Sequence, residues 1–220
     1  MNNPLYIFDM DETLINTDCS MMWNQFLVEK NIVQDENFLK EDERLMGLYA
    51  EGKMDMETYL TFTMKPILDL STQEVDRLVH ECIEEKILPK LFPQAKALIS
   101  TLKENGTPML VISASVSFVV KPLAKAIGID SVIGIDMKEE AQRYTSDVVG
   151  VASYREGKVT RLNQWLEEQE QTFSEIHFYT DSINDLPLCL QADVVSLVNP
   201  CAQLATYAEQ KPSWTILNWG

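Results

Sequence analysis

The chain has 220 residues, enough for one α/β domain or for one domain that carries a sizeable insertion. It contains 18 Lys and Arg against 34 Asp and Glu, so its formal net charge is −16. A surface this negative repels phosphate backbones and anionic lipids, which argues against nucleic-acid and membrane-surface partners. Hydrophobic residues make up 45% of the chain, a share that favours a folded globular protein over a disordered one.

Nothing in the chain predicts export or membrane insertion. The most apolar stretch, residues 108–120, contains three serines and is shorter than the roughly 20 apolar residues of a membrane span. The first residues, Met-Asn-Asn-Pro, lack the basic and apolar regions of a secretory signal. The four cysteines lie far apart without a C-x-x-C pair, which is typical of free thiols in a reducing cytosol. We therefore expect a cytoplasmic protein.

Six short apolar runs, rich in β-branched and aromatic residues, predict buried strands. In chain order they occupy residues 5–8, 109–112, 132–135, 176–179, 194–198 and 214–217. Helical patterns separate most of them, and this alternation predicts an α/β fold with a mostly parallel sheet and helices on both faces. A small hairpin or strand excursion is expected at 146–156.

One interval, residues 16–88, shows helical patterns and no credible strand. Apolar residues at 75, 78, 79 and 82 follow the spacing of one helix face, and Ser71 with Glu74 forms the pattern of a capping box. We interpret 16–88 as an inserted, all-helical cap domain and residues 1–15 with 89–220 as the α/β core. Because loops at the carboxyl ends of parallel strands bind ligands, the cap should lie over a site there.

Two acidic residues follow the first predicted strand. Asp9 and Asp11 are two positions apart, so in an extended chain both carboxylates project to the same side. Two negative charges at such a short distance repel each other strongly unless a cation neutralises them or one carboxyl group stays protonated. Carboxylate oxygens suit Mg²⁺, so the pair indicates a metal or acid–base site.

Three further polar groups occupy comparable positions. Ser113 follows the second predicted strand, Lys158 stands at the start of a helix, and Asp181 and Asp185 follow the fourth strand. Each has an ordinary alternative: Ser113 as a helix N-cap, Lys158 as a surface charge. Their joint occurrence in this order is far less expected by chance than any one of them, and it favours a shared site.

With these four groups the chain resembles the haloacid dehalogenase (HAD) superfamily of phosphatases. The matching motifs are D-x-D-x-T at 9–13, the serine at 113, the lysine at 158 and D-x-x-x-D at 181–185. The fourth motif reads D-x-x-N-D, as in the phosphoserine-phosphatase-like subfamily IB. The resemblance implies a Rossmann-like core with a helical cap, and a Mg²⁺-dependent phosphatase acting on a small phosphomonoester through an aspartyl-phosphate.

The resemblance also implies roles for individual residues. Asp9 would be the nucleophile and Asp11 the general acid, while Lys158 would neutralise the phosphoryl charge and keep Asp9 ionised. Mg²⁺ would be held by the carboxylates of Asp9 and Asp181 and the main-chain carbonyl of Asp11, with Asp185 acting through water.

Phosphate binding and specificity involve further positions. By the same resemblance, Ser113, the amide of Ala114 and Asn184 would bind the phosphoryl group. Asp18 stands where phosphoserine phosphatases have a cap glutamate for the substrate's amino group. Thr61 stands where they have an arginine for its carboxylate, and Arg44 is a possible substitute. We therefore expect a phosphomonoester that lacks a carboxylate and carries an amine, in place of phosphoserine.

Two alternatives remain open at this point. A phosphotransferase or mutase of the same fold would pass the phosphoryl group to an alcohol in place of water. A phosphate-accepting signalling module also combines acidic residues, Mg²⁺, a hydroxyl and a lysine, but it lacks a large cap insertion. The sequence leaves the oligomeric state undetermined.

Overall fold

The six apolar runs form one parallel sheet in the structure, a computed structural model that describes residues 3–220. The strands are β1 (Pro4–Phe8), β2 (Met109–Val116), β3 (Ser131–Ile135), β4 (Met137–Glu140), β5 (Arg143–Val148), β6 (Glu175–Thr180), β7 (Val194–Val198) and β8 (Thr215–Leu217). The sheet has the order β3-β2-β1-β6-β7-β8, and each neighbouring pair runs parallel. The predicted fold class is confirmed.

Helices cover both faces of this sheet. They are α1 (Cys19–Glu29), α2 (Phe38–Ala50), α3 (Met56–Met64), α4 (Thr72–Cys82), α5 (Pro93–Glu104), α6 (Ser117–Ile127), α7 (Glu156–Glu167), α8 (Leu186–Cys189) and α9 (Ala202–Ala208). Within residues 3–220, none of the helices is long and apolar enough to cross a bilayer.

Side-chain alternation along the strands separates two apolar layers. Leu5 and Ile7 of β1 point to the layer that contains Leu162 of α7, whereas Phe8 belongs to the layer that contains Leu123 of α6. All of these side chains are fully buried. Burial of each contributes about 1.5–3 kcal/mol, so the two layers hold the sheet between its helices.

The connections of β1 create a crevice at its carboxyl end. β1 lies in the middle of the sheet, paired with β2 on one side and β6 on the other. The chain therefore leaves β1 toward one half of the sheet and later returns to build the other half. Ligands of open parallel sheets bind at such a reversal of strand order, outside the carboxyl ends of the strands.

The segment between β1 and α5 is helical, as predicted. Ser71 and Glu74 form the reciprocal hydrogen bonds of a capping box at the start of α4. Trp23 of α1 shares its apolar layer with the sheet, whereas Tyr59 of α3 belongs to a small separate cluster with Leu45 of α2. The division into a cap at 16–88 and a core remains a prediction.

The prediction of a hairpin at 146–156 is wrong in its position. The structure has it at β4 and β5, residues 137–148, and residues 156 onward belong to α7. Its turn residues Ala141 and Gln142 have φ angles of 49° and 61°. Turns with two positive φ values usually contain Asn or Gly, and neither residue type is present here to mark the turn.

Candidate active site

The turn after β1 directs three polar side chains toward the crevice. The amide of Asp9 donates to the carbonyl of Tyr179 on β6 (2.9 Å), which continues the sheet by one residue. The amides of Leu14 and Ile15 then both donate to the carbonyl of Met10, at 3.0 and 3.2 Å. This tight turn reverses the chain directly after the strand and keeps the residues of the D-x-D-x-T motif together.

Asp9 lies against a buried lysine. Lys158 Nζ is 2.7 Å from Asp9 Oδ1 and 2.8 Å from Asp185 Oδ2, and Lys158 is only 1% exposed. Burial alone would lower the pKa of Lys158, but the charges of Asp185 and Asp9 outweigh it and raise that pKa above its ordinary value. Lys158 is therefore a permanent cation between two buried carboxylates.

The backbone around Lys158 is packed closely enough to fix its position. It lies in the first turn of α7, directly after Gly157, where a Cβ atom would stand 1.9 Å from the carbonyl oxygen of Ala152. In the preceding loop, Ser153 Oγ donates to the carbonyl of Ser113 on β2 (2.6 Å). The loop is thus attached to the strand that supplies the predicted phosphate-binding serine.

Asp11 is held by three donors. The amide of Cys19 donates to its Oδ1 at 2.7 Å, and the hydroxyls of Ser113 and Ser115 donate to its Oδ2 at 3.1 and 2.9 Å. The two serines share one side of β2 because they are two positions apart. Ser113 lies within the strand and not at a helix N-cap, since β2 continues to Val116.

The acidic cluster after β6 completes the site. Thr13 Oγ1 donates to Asp181 Oδ1 (3.1 Å), and Thr180 Oγ1 donates to Asp185 Oδ2 (2.7 Å). Thr13 connects the motif after β1 to the motif after β6, whereas Thr180 holds Asp185 against the end of its own strand. The first and fourth motifs are at least 168 positions apart in the sequence. All four predicted groups nevertheless meet at one end of the sheet.

Negative charge exceeds positive charge in this cluster. Burial, which outweighs the nearby Lys158, raises the pKa of Asp9 to about 7, and the charges of Asp185 and Asp11 contribute. Burial and the charge of Asp9 likewise raise the pKa of Asp181. One ammonium group does not balance these carboxylates, which is the electrostatic condition in which a divalent cation binds.

The donor set suits Mg²⁺ in kind. Its members are carboxylate oxygens, and among residues 3–220 the near contact of the buried Asp185 Oδ1 is the ion pair with Lys158 Nζ at 2.7 Å. Across residues 3–220, however, no three Asp, Glu, His or Cys side chains are placed so that they could hold a metal ion by themselves. The predicted arrangement, two carboxylates with a main-chain carbonyl, does not require three such side chains.

A small cavity of about 20 Å³ adjoins Asp11. Ala114 and Asp18 line it, as does Tyr59 of α3. Asp18 also accepts from the amide of Met21 at 2.8 Å and so caps the N-terminus of α1. Burial, followed by the charge of Asp11, raises the pKa of Asp18.

Asn184 connects the helical segment to the sheet. Its Nδ2 donates to the carbonyl of Tyr49 at the end of α2 (2.9 Å), and its Oδ1 accepts from the hydroxyl of Tyr154 (3.2 Å). Arg155 adds a second connection by donating to the carbonyl of Gly52 (3.1 Å). These contacts close the end of α2 over the site.

A protein-family model, that of the haloacid dehalogenase-like hydrolases, matches residues 6–189. The chain belongs to this family. The match covers all four HAD motifs, from Asp9 to Asp185, and confirms the resemblance inferred from them.

Individual relatives match almost the whole chain. It is 36% identical over 219 residues to a histidinol-phosphatase of Neisseria meningitidis serogroup C (strain 8013), covering 98% of each chain. A crystal structure of a protein with unknown function from Bordetella pertussis Tohama I has a TM-score of 0.90 at 30% identity, covering 99% of both chains. A substrate-bound phosphoserine phosphatase complex has a TM-score of 0.72 at 18% identity, covering 98% of this chain and 93% of that one, and shows the same fold.

Two residues considered for substrate binding lie elsewhere. Arg44 is exposed and paired with Glu41, at 2.7 Å between Nη2 and Oε1, so it does not replace an arginine of the HAD cap. Thr61 is exposed and lines an open groove with Ser146 of the hairpin, outside the cavity beside Asp11. Neither side chain offers a cation to a substrate carboxylate in that cavity.

Several residues of this candidate site were not singled out from the sequence. Ser115 has a detectable signal, since it is a hydroxyl two positions after Ser113 on the same strand. Thr180 is the last residue of β6 and also gives a signal by position. Tyr49 and Tyr154 give none, because only the folded chain brings them to Asn184.

Proposed function

We propose that this protein hydrolyses a small phosphomonoester through an aspartyl-phosphate formed on Asp9. The observation that carries the proposal is the pairing of a buried, reactive carboxylate with a fixed cation: Asp9 Oδ1 lies 2.7 Å from Lys158 Nζ. Asp11, two residues on, borders the cavity where a leaving group can bind. Family membership and the names of the relatives confirm the predicted enzyme class, phosphoric monoester hydrolase.

The proposed reaction has two displacements at phosphorus. In the first, Asp9 attacks, the bond from phosphorus to the ester oxygen breaks, and Asp11 gives its proton to the departing alkoxide. In the second, Asp11 takes a proton from water as the water oxygen attacks phosphorus, and the bond to Asp9 breaks. Inorganic phosphate and the alcohol are the products, and both aspartates return to their starting states.

Positioning of the reacting groups and neutralisation of charge contribute the rest of the proposed rate enhancement. Lys158 lowers the repulsion between Asp9 and the incoming dianion. Ser113 and the amide of Ala114 would donate to the phosphoryl oxygens. Mg²⁺, bound by Asp9 and Asp181 with Asp185 nearby, would neutralise the charge of the phosphate dianion and so allow a carboxylate to approach it.

For the substrate we propose the phosphate ester of an amino alcohol without a carboxylate, with L-histidinol phosphate as the specific candidate. Asp18 places a carboxyl group on the cavity wall, and an ammonium group beside it would favour its ionised form and pair with it. Among residues 3–220, no Lys or Arg lines that cavity, so a carboxylate would find no cationic partner from this part of the chain there. The relative of 36% identity carries the name histidinol-phosphatase, and its substrate has this chemistry.

The test is phosphate release from L-histidinol phosphate, phosphoserine and phosphoethanolamine, with Mg²⁺ and without any added acceptor alcohol. We expect L-histidinol phosphate to have the highest kcat/KM, and EDTA to abolish turnover until Mg²⁺ is restored. Asp9→Asn should lose activity on all three substrates because an amide cannot attack phosphorus as a carboxylate does.

Three outcomes would contradict parts of the proposal. Substantial turnover by Asp9→Asn would refute the nucleophile assignment. A clear preference for phosphoserine would refute the substrate class. Formation of a new phosphate ester with an added alcohol, without release of inorganic phosphate in its absence, would indicate a phosphotransferase. Glu209→Gln, an exposed position after α9, is a matched loss of one carboxylate that should leave the rates unchanged.

A further inference from the structure

Tyr59 of α3 has a buried hydroxyl that lacks a well-formed hydrogen bond within residues 3–220. The residue is 5% exposed, and Ser20 and Asp42 interact with its hydroxyl without reaching full hydrogen-bond geometry. A buried polar group without a partner costs about 1–3 kcal/mol. A phenylalanine here would avoid that cost, so the hydroxyl is available to a hydrogen-bond partner that comes from outside the chain.

The Tyr59 side chain lines two small cavities. The cavity nearer to the candidate active site has a volume of about 20 Å³ and is lined by Asp11 and Asp18. The cavity farther from the site has a volume of about 10 Å³ and is lined by Trp23 and Phe118. The residues common to both walls are Tyr59, Ser20, Ala114 and Ser115. Each cavity has room for about one water molecule, so a larger occupant must displace side chains around Tyr59.

The walls permit such a displacement. Met46, Met54 and Met56 line the nearer cavity, and methionine side chains change shape at low cost. The farther cavity is lined mainly by apolar and aromatic side chains, which suit a flat ring. Beyond Asp11, the cavity walls thus present the carboxyl group of Asp18, the hydroxyl of Tyr59 and the aromatic rings of Trp23 and Phe118.

We propose that Tyr59 is a specificity-determining residue whose hydroxyl hydrogen-bonds a ring nitrogen of a planar heterocycle in the leaving group. The ring occupies the space between the two cavities, beside Trp23 and Phe118, while Asp18 binds the ammonium group. This assignment rests on the proposed function. A neutral imidazole has one N–H donor and one nitrogen acceptor, and a hydroxyl can pair with either.

The test is Tyr59→Phe, which removes the oxygen and retains the ring. We expect its KM for L-histidinol phosphate to rise about tenfold, the size expected for one lost hydrogen bond, with kcat nearly unchanged. KM should stay within about twofold of wild type for phosphoethanolamine, which has the amine and no ring, and for p-nitrophenyl phosphate, which has no ring nitrogen. Tyr207→Phe on α9, paired with Trp214, is the matched control.

The outcomes separate this assignment from the proposed function. If Tyr59→Phe raises KM equally for all three substrates, or lowers the melting temperature and all rates together, its hydroxyl is structural and the assignment fails. If wild type prefers L-histidinol phosphate and Tyr59→Phe does not alter that preference, the assignment fails while the proposed function stands. If wild type does not hydrolyse L-histidinol phosphate, the proposed substrate fails and the Tyr59 assignment fails with it.

Discussion

Lys158→Met should destabilise the protein by an amount that grows with pH. The substitution keeps an unbranched side chain but leaves Asp9 and Asp185, 6% and 1% exposed, without the cation that lies 2.7 Å from each. Removing one partner of a buried ion pair costs about 3–5 kcal/mol. We expect that loss in the free energy of unfolding at pH 8, measured by urea denaturation in EDTA so that no cation substitutes for the ammonium group.

The sign of the pH dependence follows from Asp9. Its pKa is already raised to about 7 by burial, and losing Lys158 raises it further. Between the unfolded pKa near 4 and that raised value, the native protein binds more protons than the unfolded chain, so its stability falls as the pH rises. The deficit of Lys158→Met relative to wild type should therefore be at least about 1 kcal/mol smaller at pH 5 than at pH 8.

A second variant distinguishes charge from packing. In Lys158→Met/Asp185→Asn, one of the unpaired carboxylates is gone, so part of the stability should return at pH 8. An equal deficit at pH 5 and pH 8, together with no recovery in the double variant, would show that the lysine contributes through packing alone and would refute the electrostatic reasoning. Lys125→Met, at an exposed position on α6, is the control for loss of a lysine.

Three other substitutions test how the site and the helical segment are held. Gly157→Ala would place a Cβ 1.9 Å from the carbonyl oxygen of Ala152, so we expect a lower melting temperature and a large loss of kcat; wild-type values for both would contradict this packing. Ser115→Ala removes one of two hydroxyls on Asp11 Oδ2 (2.9 Å), and kcat should fall about tenfold at an unchanged melting temperature; an unchanged kcat would show that the other hydroxyl suffices. Burial raises the pKa of Asp42 to about 6, so native Asp42 binds more protons than the unfolded chain between about pH 4 and 6, and wild-type stability falls across that window. Asp42→Asn should lack this fall and be about 1–2 kcal/mol more stable at pH 8 by urea denaturation; parallel pH curves for the two proteins would contradict it.

The sequence predicted those parts of the site that follow from periodicity and strand order. Asp9 and Asp11 could be placed on one side because residues two apart in an extended chain share a side. Ser113 and Asp181 could be placed at the same edge because parallel strands bring their carboxyl ends together. These arguments use only local pattern and the fold class, so they do not depend on how particular side chains pack.

Contacts that arise only in the folded chain could not be predicted in this way. Lys158, judged alone, has the pattern of an exposed charge, yet it is 1% exposed because the loop before α7 packs around Gly157. Phosphate binding by Asn184 stays a prediction, and nothing in the sequence indicated that its side chain also donates to the carbonyl of Tyr49, 135 positions earlier. No spacing rule relates two residues that far apart in the sequence, so such a contact can be identified only in the folded chain.

The excess of negative charge at the site does not favour folding and therefore needs another explanation. Buried ion pairs are weak sources of stability, and well-packed apolar residues in their place are often neutral or stabilising. Asp9, Asp181 and Asp185 with one lysine are less favourable still, because the carboxylates outnumber the cation. An arrangement in which buried carboxylates outnumber the one ammonium group is better explained by a requirement to bind charged species than by folding alone.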